Sequence, residues 1–450
     1  MNALILGSGG REQALARKIA ESPLVDTLYI APGNGGSFVK CQNVPLDIAN
    51  FPAIASFIKE KAVELVVVGP EQPLVDGVTD FLLKEEGLEG LHVVGPTAFG
   101  ARLESSKAFA KEFMAAQGIK TAAYRSFSGE GELESARDFI RSLKKGPYVL
   151  KADGLAAGKG VLIIDDEAEA LSAVGEMLHG KFGKAGDTVV IEEFLSGIEC
   201  SVFFLTDGKG YTILPAAKDY KRIGEGDKGL NTGGMGAVSP VPFAGSAFMK
   251  KVEEEIIQKT VAGLSPDVYK GFVFLGLMNV DGEPYVIEYN ARMGDPETEA
   301  VMPRITSDLV PYLLALKDET LSELPRLEVS PLTAVTVILA SGGYPESYEK
   351  GFPINGIDKA EAKGAVVYHA GTKRSKDETL TSGGRVLAVT AMGDGIEETR
   401  EKVYEAVDEI TFEKAYCRRD IGKDLLTWMR MYIRGELKKL WSSIFKRDDK

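Results

Sequence analysis

The first hundred residues break into short apolar runs that each stop at glycine or proline, with helical stretches between them. The runs are residues 3–6, 27–30, 65–68 and 91–94, and residues 11–20 have the spacing of a helix. Strands alternating with helices build a parallel sheet with crossover helices, because a parallel neighbour cannot be reached through a tight hairpin. Such sheets bind ligands at the carboxyl ends of their strands. Here those ends are Gly7-Ser8-Gly9-Gly10-Arg11, Pro32-Gly33-Asn34, Gly69-Pro70-Glu71 and Gly95-Pro96-Thr97.

The first of these clusters follows a strand and opens a helix, which suits a phosphate or carboxylate at the helix N-terminus, with Arg11 as a clamp. A dinucleotide fingerprint fits poorly. Glu12 stands where the third glycine should fall, and Ala31-Pro32-Gly33 supplies no acid for a ribose. The same glycines would also serve simple close packing of helix on strand.

Beyond residue 102 the pattern changes. A helix is expected over 105–117, and a smaller α/β unit over 121–190 with strands at 124–127, 148–151, 161–164 and 189–192. Longer elements continue to about 325. A β-rich region follows over 326–424, with strands at 332–339, 366–370 and 385–391. The 450 residues thus divide into domains at 1–102, 103–325 and 326–424, with a distinct tail at 425–450. The tail holds seven Lys or Arg against three Asp or Glu, a local charge of +4. Leu426, Met429, Ile433, Leu437, Leu440 and Ile444 recur at helical spacing, so it reads as a basic amphipathic helix. Packing on its own protein or on a twin subunit is the plainer expectation, a membrane or partner surface the other.

A net charge of −13 argues against a general nucleic-acid or membrane-surface binder. Three cysteines far apart, with no CxxC, suit a reducing cytoplasmic compartment. Three histidines make a histidine-rich metal centre a poor expectation. No leader and no bilayer-length apolar run is legible.

Three stretches carry chemistry. Lys151-Ala152-Asp153-Gly154-Leu155-Ala156-Ala157-Gly158-Lys159-Gly160 lies between two strands. Glycines let backbone amides approach phosphate oxygens, and Lys151 and Lys159 neutralise charge. It is no Walker loop, which would lead into a helix; it reads as a flap that closes over phosphates. The second stretch is a hairpin, with strands at 272–280 and 285–290 about an Asp281-Gly282 turn. Alternation puts Glu288 and Asn290 on one face, where they offer hard oxygens to Mg²⁺. Arg292 follows, placed to stabilise a transferring phosphoryl group, and then Gly294-Asp295-Pro296-Glu297. The third, Asn231-Thr232-Gly233-Gly234-Met235-Gly236-Ala237, is expected to wrap a small substrate through its backbone.

Taken in order, these motifs resemble one family, the phosphoribosylamine–glycine ligases (glycinamide ribonucleotide synthetases) of purine biosynthesis. The likeness runs from about residue 1 to 422. It includes GSGGREQAL at 7–15, VGPEQPLVDG at 68–77, SSKAF at 105–109, LKADGLAAGKGV at 150–161, IEEFLSG at 191–197, NTGGMGA at 231–237, VIEYNARMGDPET at 286–298 and SGGRVLAVTA at 382–391. The resemblance implies an α/β protein with a parallel-sheet amino-terminal domain, an ATP-grasp core with a mobile lid, and a β-rich carboxy-terminal domain. The implied substrates are ATP, glycine and 5-phosphoribosylamine, and the implied ion is Mg²⁺ or Mn²⁺. It implies a cytoplasmic monomer or weak homodimer.

On the family pattern Lys107, Lys151, Gly154, Gly158, Lys159 and Gly160 hold phosphates. Glu192, Glu193, Phe194 and Leu195 frame adenine, and Glu199 takes the ribose. Glu288 and Asn290 bind metal, and Arg292 and Asp295 face the reacting groups. Gly9, Gly10, Arg11, Pro70, Glu71, Asn231, Gly233, Gly234, Met235, Gly236, Gly383, Gly384 and Arg385 are the candidate substrate contacts. Three features depart from the pattern or lie outside it. Gln13 stands where the family usually has histidine. Gly276-Leu277-Met278 lacks the acid found there in many ATP-grasp enzymes. The basic tail extends past the usual end. Another ATP-grasp ligase or carboxylase is the competing enzyme reading, and a nucleotide-binding regulator without catalysis is the competing reading of another class.

Overall fold

In the computed structural model, which describes residues 1–143, 146–154 and 160–445, the early apolar runs form one five-stranded sheet. Its strands are β1 (Asn2–Gly7), β2 (Thr27–Pro32), β3 (Cys41–Asn43), β4 (Val63–Val68) and β5 (His92–Val94), paired parallel in the order β3-β2-β1-β4-β5. Leu4, Ile5, Leu6, Val66 and Val67 are all buried, as a sheet covered on both faces requires. Chain order reverses between β1 and β4, which opens a crevice at their carboxyl ends. Helix α1 (Gly10–Ala20) starts in that crevice.

The expected helix over 105–117 is two helices. Arg102–Ser105 ends at Ser106, which is extended and whose hydroxyl accepts from Phe109 N. Helix α2 (Lys107–Gln117) therefore begins at a lysine. A serine cap satisfies a free amide of the new helix, which is why the chain breaks there.

The smaller unit is an antiparallel sheet of β6 (Tyr124–Ser128), β7 (Tyr148–Ala152), β8 (Val161–Ile164) and β9 (Thr188–Glu193), in the order β6-β9-β7-β8. It has its own hydrophobic cluster, with Phe127, Ile140, Tyr148, Leu150 and Ile191 buried together. A unit with a private core can move as a body without opening the main one.

The central sheet consists of β10 (Ile198–Thr206), β11 (Tyr211–Ile213), β12 (Gly271–Val280) and β13 (Glu283–Asn290), antiparallel in the order β11-β10-β12-β13. Phe203 of β10 and Phe274 of β12 pack with ring centroids 5.0 Å apart. The last sheet runs through Gly236–Ser239, Thr333–Ser341, Arg385–Gly393 and Val366–His369, antiparallel throughout. The glycine run expected to be a loop over 231–237 thus has strand at both ends, Lys228–Asn231 and Gly236–Ser239.

Helix α3 (Lys423–Phe445) packs on its own protein over its first turns. Leu425 is buried, and Trp428 stacks on Tyr432 and meets Phe243. Met431, Tyr432 and Ile433 are exposed. The side chains of Leu437, Leu440 and Ile444 lie outside those described. Among the described residues no helix is long and apolar enough to cross a membrane.

His369 fastens the last sheet to the first domain. Its N–H donates to Gln13 Oε1, its carbonyl accepts from Asn34 Nδ2 at 2.7 Å, and its Nδ1 is 3.1 Å from the Thr372 hydroxyl. Burial, with Arg17 and Arg374 nearby, pushes the imidazole down to about 4. The unfolded chain then binds a proton that the fold refuses, so this contribution is complete above the ordinary pKa and lost as pH falls through about 4. Between pH 7 and pH 4 the protein should lose on the order of 3 kcal/mol more stability than His369→Asn, as read by denaturant unfolding.

Candidate active site

The glycine loop is rooted on α2. The Asp153 carboxylate accepts from the Ser106 hydroxyl at 3.1 Å and from Ala108 N at 2.7 Å. Lys107 Nζ donates to Gly154 O at 3.2 Å. Burial pushes the Lys107 ammonium below its ordinary range, and Glu288 opposes that shift. Lys151 is buried on β7, 2.9 Å from Glu192 Oε1, and donates to Ile287 O at 3.3 Å. Gly154 and Gly160 border the loop; Gly158 and Lys159 lie outside the described residues.

Strand β9 leads from the lid into the body. Glu192 is buried, while Glu193 is exposed and accepts from Ala123 N at 2.9 Å. Phe194 is 42% exposed beside the half-buried Leu195, an apolar ledge suited to a flat base. Glu199 on β10 pairs with Lys221 at 2.9 Å, which holds its carboxyl below the usual range.

Glu288 and Asn290 share a face by alternation along a regular stretch of ladder, and β13 bulges just before them. The register steps from Gly276↔Glu288 to Leu277↔Val286 and leaves Ile287 unpaired. Val286 and Tyr289 are consequently both buried, and Glu288 and Asn290 flank Tyr289 on the open side. Bulges at sites re-aim side chains in this way. Opposite stands Gly276, where a Cβ would come within 2.8 Å of Glu288 Cγ. A larger residue in place of Gly276 would displace the carboxylate. A carboxylate and an amide oxygen fit a hard divalent cation that keeps its other ligands from water and phosphate. Among the described residues there is no cluster of three or more His, Cys, Asp or Glu placed for a metal, so softer, fully caged ions have no such cluster there.

The amino-terminal crevice differs from the expected phosphate loop. Side chains on Gly7 or Gly69 would collide with the Glu12 carboxylate, and Gly9 N donates to it at 2.6 Å. These glycines therefore wrap an internal carboxylate, which is why Glu12 replaces the third glycine. Arg11 donates to Glu12 at 2.7 Å, and Gly10 is covered by the buried Glu299. Arg292 is similarly occupied. Its Nη2 is 2.7 Å from Glu104, its Nε donates to Glu71 at 3.3 Å and its Nη1 to Met293 O. Glu71, after Pro70, remains partly open to the crevice.

Arg385 reaches Asp295 at 3.0 Å and the carbonyls of Gly233 and Gly234, so three separated motifs meet at one point. Gly233 N donates to Tyr344 OH. Asn231 is exposed nearby, and Gly384 packs under the Tyr344 ring while Gly383 packs on Gly371. Two expected substrate contacts belong elsewhere. Met235 is fully buried, with its N–H donated to Tyr220 and its carbonyl taken by Ile338; Gly236 pairs with Val337 inside the sheet. A cavity of about 850 Å³ runs between lid and body, lined by Ile163, Glu176, Arg222, Thr232 and Tyr344; Lys107, Lys151, Glu192, Glu199, Glu288 and Asn290 are not among its walls.

Sequence reading missed Glu104, Lys111, Asp219 and Lys221. Each is buried or paired by a residue far away in the chain, and none sits in a glycine-rich run.

Residues 1–104, 105–298 and 334–424 match, in turn, the N, ATP-grasp (A) and C domains described as phosphoribosylglycinamide synthetase. The chain belongs to that family. A phosphoribosylamine–glycine ligase from Chlorobaculum tepidum is 48% identical over 434 residues, 95% of this chain and 100% of its own. That of Agrobacterium fabrum is 46% identical over 94% of this chain and 98% of its own. The crystal structure of the Thermotoga maritima ligase superposes with a TM-score of 0.80 at 36% identity, covering 94% of this chain and all of that one. A biotin carboxylase from Campylobacter jejuni, at 14% identity and a TM-score of 0.67, shares the fold. The chain is thus a member of a family of purine-biosynthesis ligases built on the ATP-grasp fold, whose enzymes use ATP with divalent metal ions.

Arg292→Met strands Glu104 without its counter-charge, and should cost about 3–5 kcal/mol of stability. Adding Glu104→Gln should recover part of that loss in denaturant titrations; equal stabilities of the single and double variants would contradict the pairing.

Proposed function

We propose that this chain joins glycine to 5-phosphoribosylamine with hydrolysis of ATP, giving glycinamide ribonucleotide, ADP and phosphate. The observation that carries the nucleotide half is the bulged hairpin. It presents Glu288 and Asn290 on one face, and the buried Lys107 ammonium feels Glu288. The family match across all three domains supports the two other substrates. In this reading residues 103–325 hold the nucleotide under a lid at 121–190. The domains at 1–102 and 326–424 form the walls of the phosphoribosylamine crevice. The three free cysteines suit a cytoplasmic setting.

A glycine carboxylate is a poor electrophile. One of its oxygens attacks the γ-phosphorus of ATP, forming an O–P bond as the bond to the leaving ADP breaks. The phosphoribosylamine nitrogen then attacks the acyl carbon; a C–N bond forms, the C–O bond to phosphate breaks, and the amine loses a proton. No enzyme nucleophile is required, so the protein acts by positioning and charge. Lys107 and Lys151 take phosphate oxygens. Glu288 and Asn290 would hold a divalent cation, Mg²⁺ or Mn²⁺, whose positive charge would offset that of the nucleotide. Phe194 and Leu195 receive the adenine, with Glu192 behind them, and Glu199 the ribose. Asp295, fixed by Arg385, faces the reacting groups. Arg292, its donors already engaged, acts there through its charge and by holding Glu71 toward the crevice. Closure of the lid excludes water from the acyl phosphate.

ADP release should depend on glycine when 5-phosphoribosylamine is generated in place from ribose 5-phosphate and ammonia. Release indifferent to glycine contradicts the proposal. Glu288→Ala should lower turnover by ~100-fold or more at ordinary Mg²⁺, since losing a ligand exceeds the effect of losing its hydrogen-bonded supports; unchanged turnover removes the metal assignment.

A further inference from the structure

Lys111 is buried at 1% exposure, one turn along α2 from Lys107. Its Nζ donates to Thr121 Oγ1 at 2.6 Å, and that hydroxyl donates to Val286 O at 2.7 Å, on the strand that carries Glu288. The same Nζ is 3.1 Å from Glu192 Oε1 and 5.2 Å from the centre of the Tyr124 ring. Lys151 approaches that one oxygen from the lid side at 2.9 Å. Glu192 Oε1 therefore has two ammonium groups within ion-pair distance, yet it accepts an aligned hydrogen bond from neither.

Two cations crowd this one carboxylate, with Glu193 acting on Lys111 and Glu199 on Lys151 from further away, an arrangement that favours an incoming anion. Burial, joined by the Lys151 ammonium, pushes Lys111 down to about 8 against the pull of Glu192, so keeping an ammonium here costs the fold stability. An apolar side chain of similar length would pack without that cost. A lysine at this position needs a reason beyond packing.

We propose that Lys111 is a positioning residue of the nucleotide site, holding the Glu192 carboxylate so that Lys151 is free to turn to the phosphates when ATP enters. The proposal rests on the ATP reading given above. Without Lys111, Lys151 and Glu192 form a closed buried pair, and ATP must compete with Glu192 for the Lys151 ammonium. With Lys111 in place, Glu192 keeps a counter-charge after Lys151 departs. Thr121 and Val286 tie that arrangement to the metal-bearing strand, so the lid strands β7 and β9 meet the body through this charged triad.

The test uses full-length protein carrying Lys111→Met, Lys111→Gln or Lys111→Arg. Mg-ATP affinity is measured by calorimetry, and KM for ATP and kcat by steady-state assay. Met and Gln should each weaken ATP binding and raise KM for ATP about tenfold or more, the scale of one charge-assisted hydrogen bond, with kcat at saturating ATP close to wild type. Thermal stability should be unchanged or higher, and Arg should restore affinity to near the wild-type value. Wild-type ATP affinity in the Gln variant overturns the proposal, as does a parallel loss of kcat and stability that Arg does not rescue. Failure of the wild-type protein itself to bind Mg-ATP would overturn the ATP reading, a separate outcome read in the same experiment.

Discussion

Arg292 lies between Glu71 of the amino-terminal domain and Glu104 beneath the hairpin that carries Glu288 and Asn290, and Arg385 of the last sheet reaches Asp295 on the turn that follows it. These ion pairs tie three domains to one small volume. Arg292, Glu104, Arg385 and Asp295 are largely desolvated, so their pairs cannot open cheaply, because a lone buried charge is costly. The crevice, the hairpin and the glycine run near Gly233 keep their mutual positions for that reason. The smaller antiparallel unit is attached differently, with a core of its own and the Lys111–Glu192–Lys151 triad as its charged link to the body.

Lys107, Lys111 and Lys151 gather where α2 meets the lid, whereas the crevice side holds balanced pairs, Arg11 with Glu12 and Arg385 with Asp295. Glu299, buried and without a hydrogen-bond partner, stands behind Gly10, and burial beside Asp295 raises its carboxyl well above the usual range.

Local signals carried the fold. The apolar runs that stop at glycine correspond to strands of the parallel sheet, and the Asp281-Gly282 turn sits between the strands of the predicted hairpin. Alternation placed Glu288 and Asn290 on one face, although the bulge at Ile287, which a period-of-two reading cannot see, is what keeps Val286 and Tyr289 buried together. Long-range pairing was not legible. Gly7 and Gly9, read as the edge of a phosphate or carboxylate site, enclose Glu12 together with Gly69; Arg292, read as stabilising a transferring phosphoryl group, is held by Glu71 and Glu104. Met235 sits in a glycine run yet belongs to the core, because a strand begins one residue later. In each case the deciding partner lies in another part of the chain, where spacing rules have no reach.

The central claim is that glycine is activated by phosphorylation of its own carboxylate in this cleft. Turnover with glycine carrying ¹⁸O in both carboxylate oxygens tests it directly, with the released phosphate analysed by mass. The account predicts one ¹⁸O transferred into phosphate for each amide bond formed. Phosphate that carries oxygen only from water and ATP, with amide formed at the same rate, would contradict it.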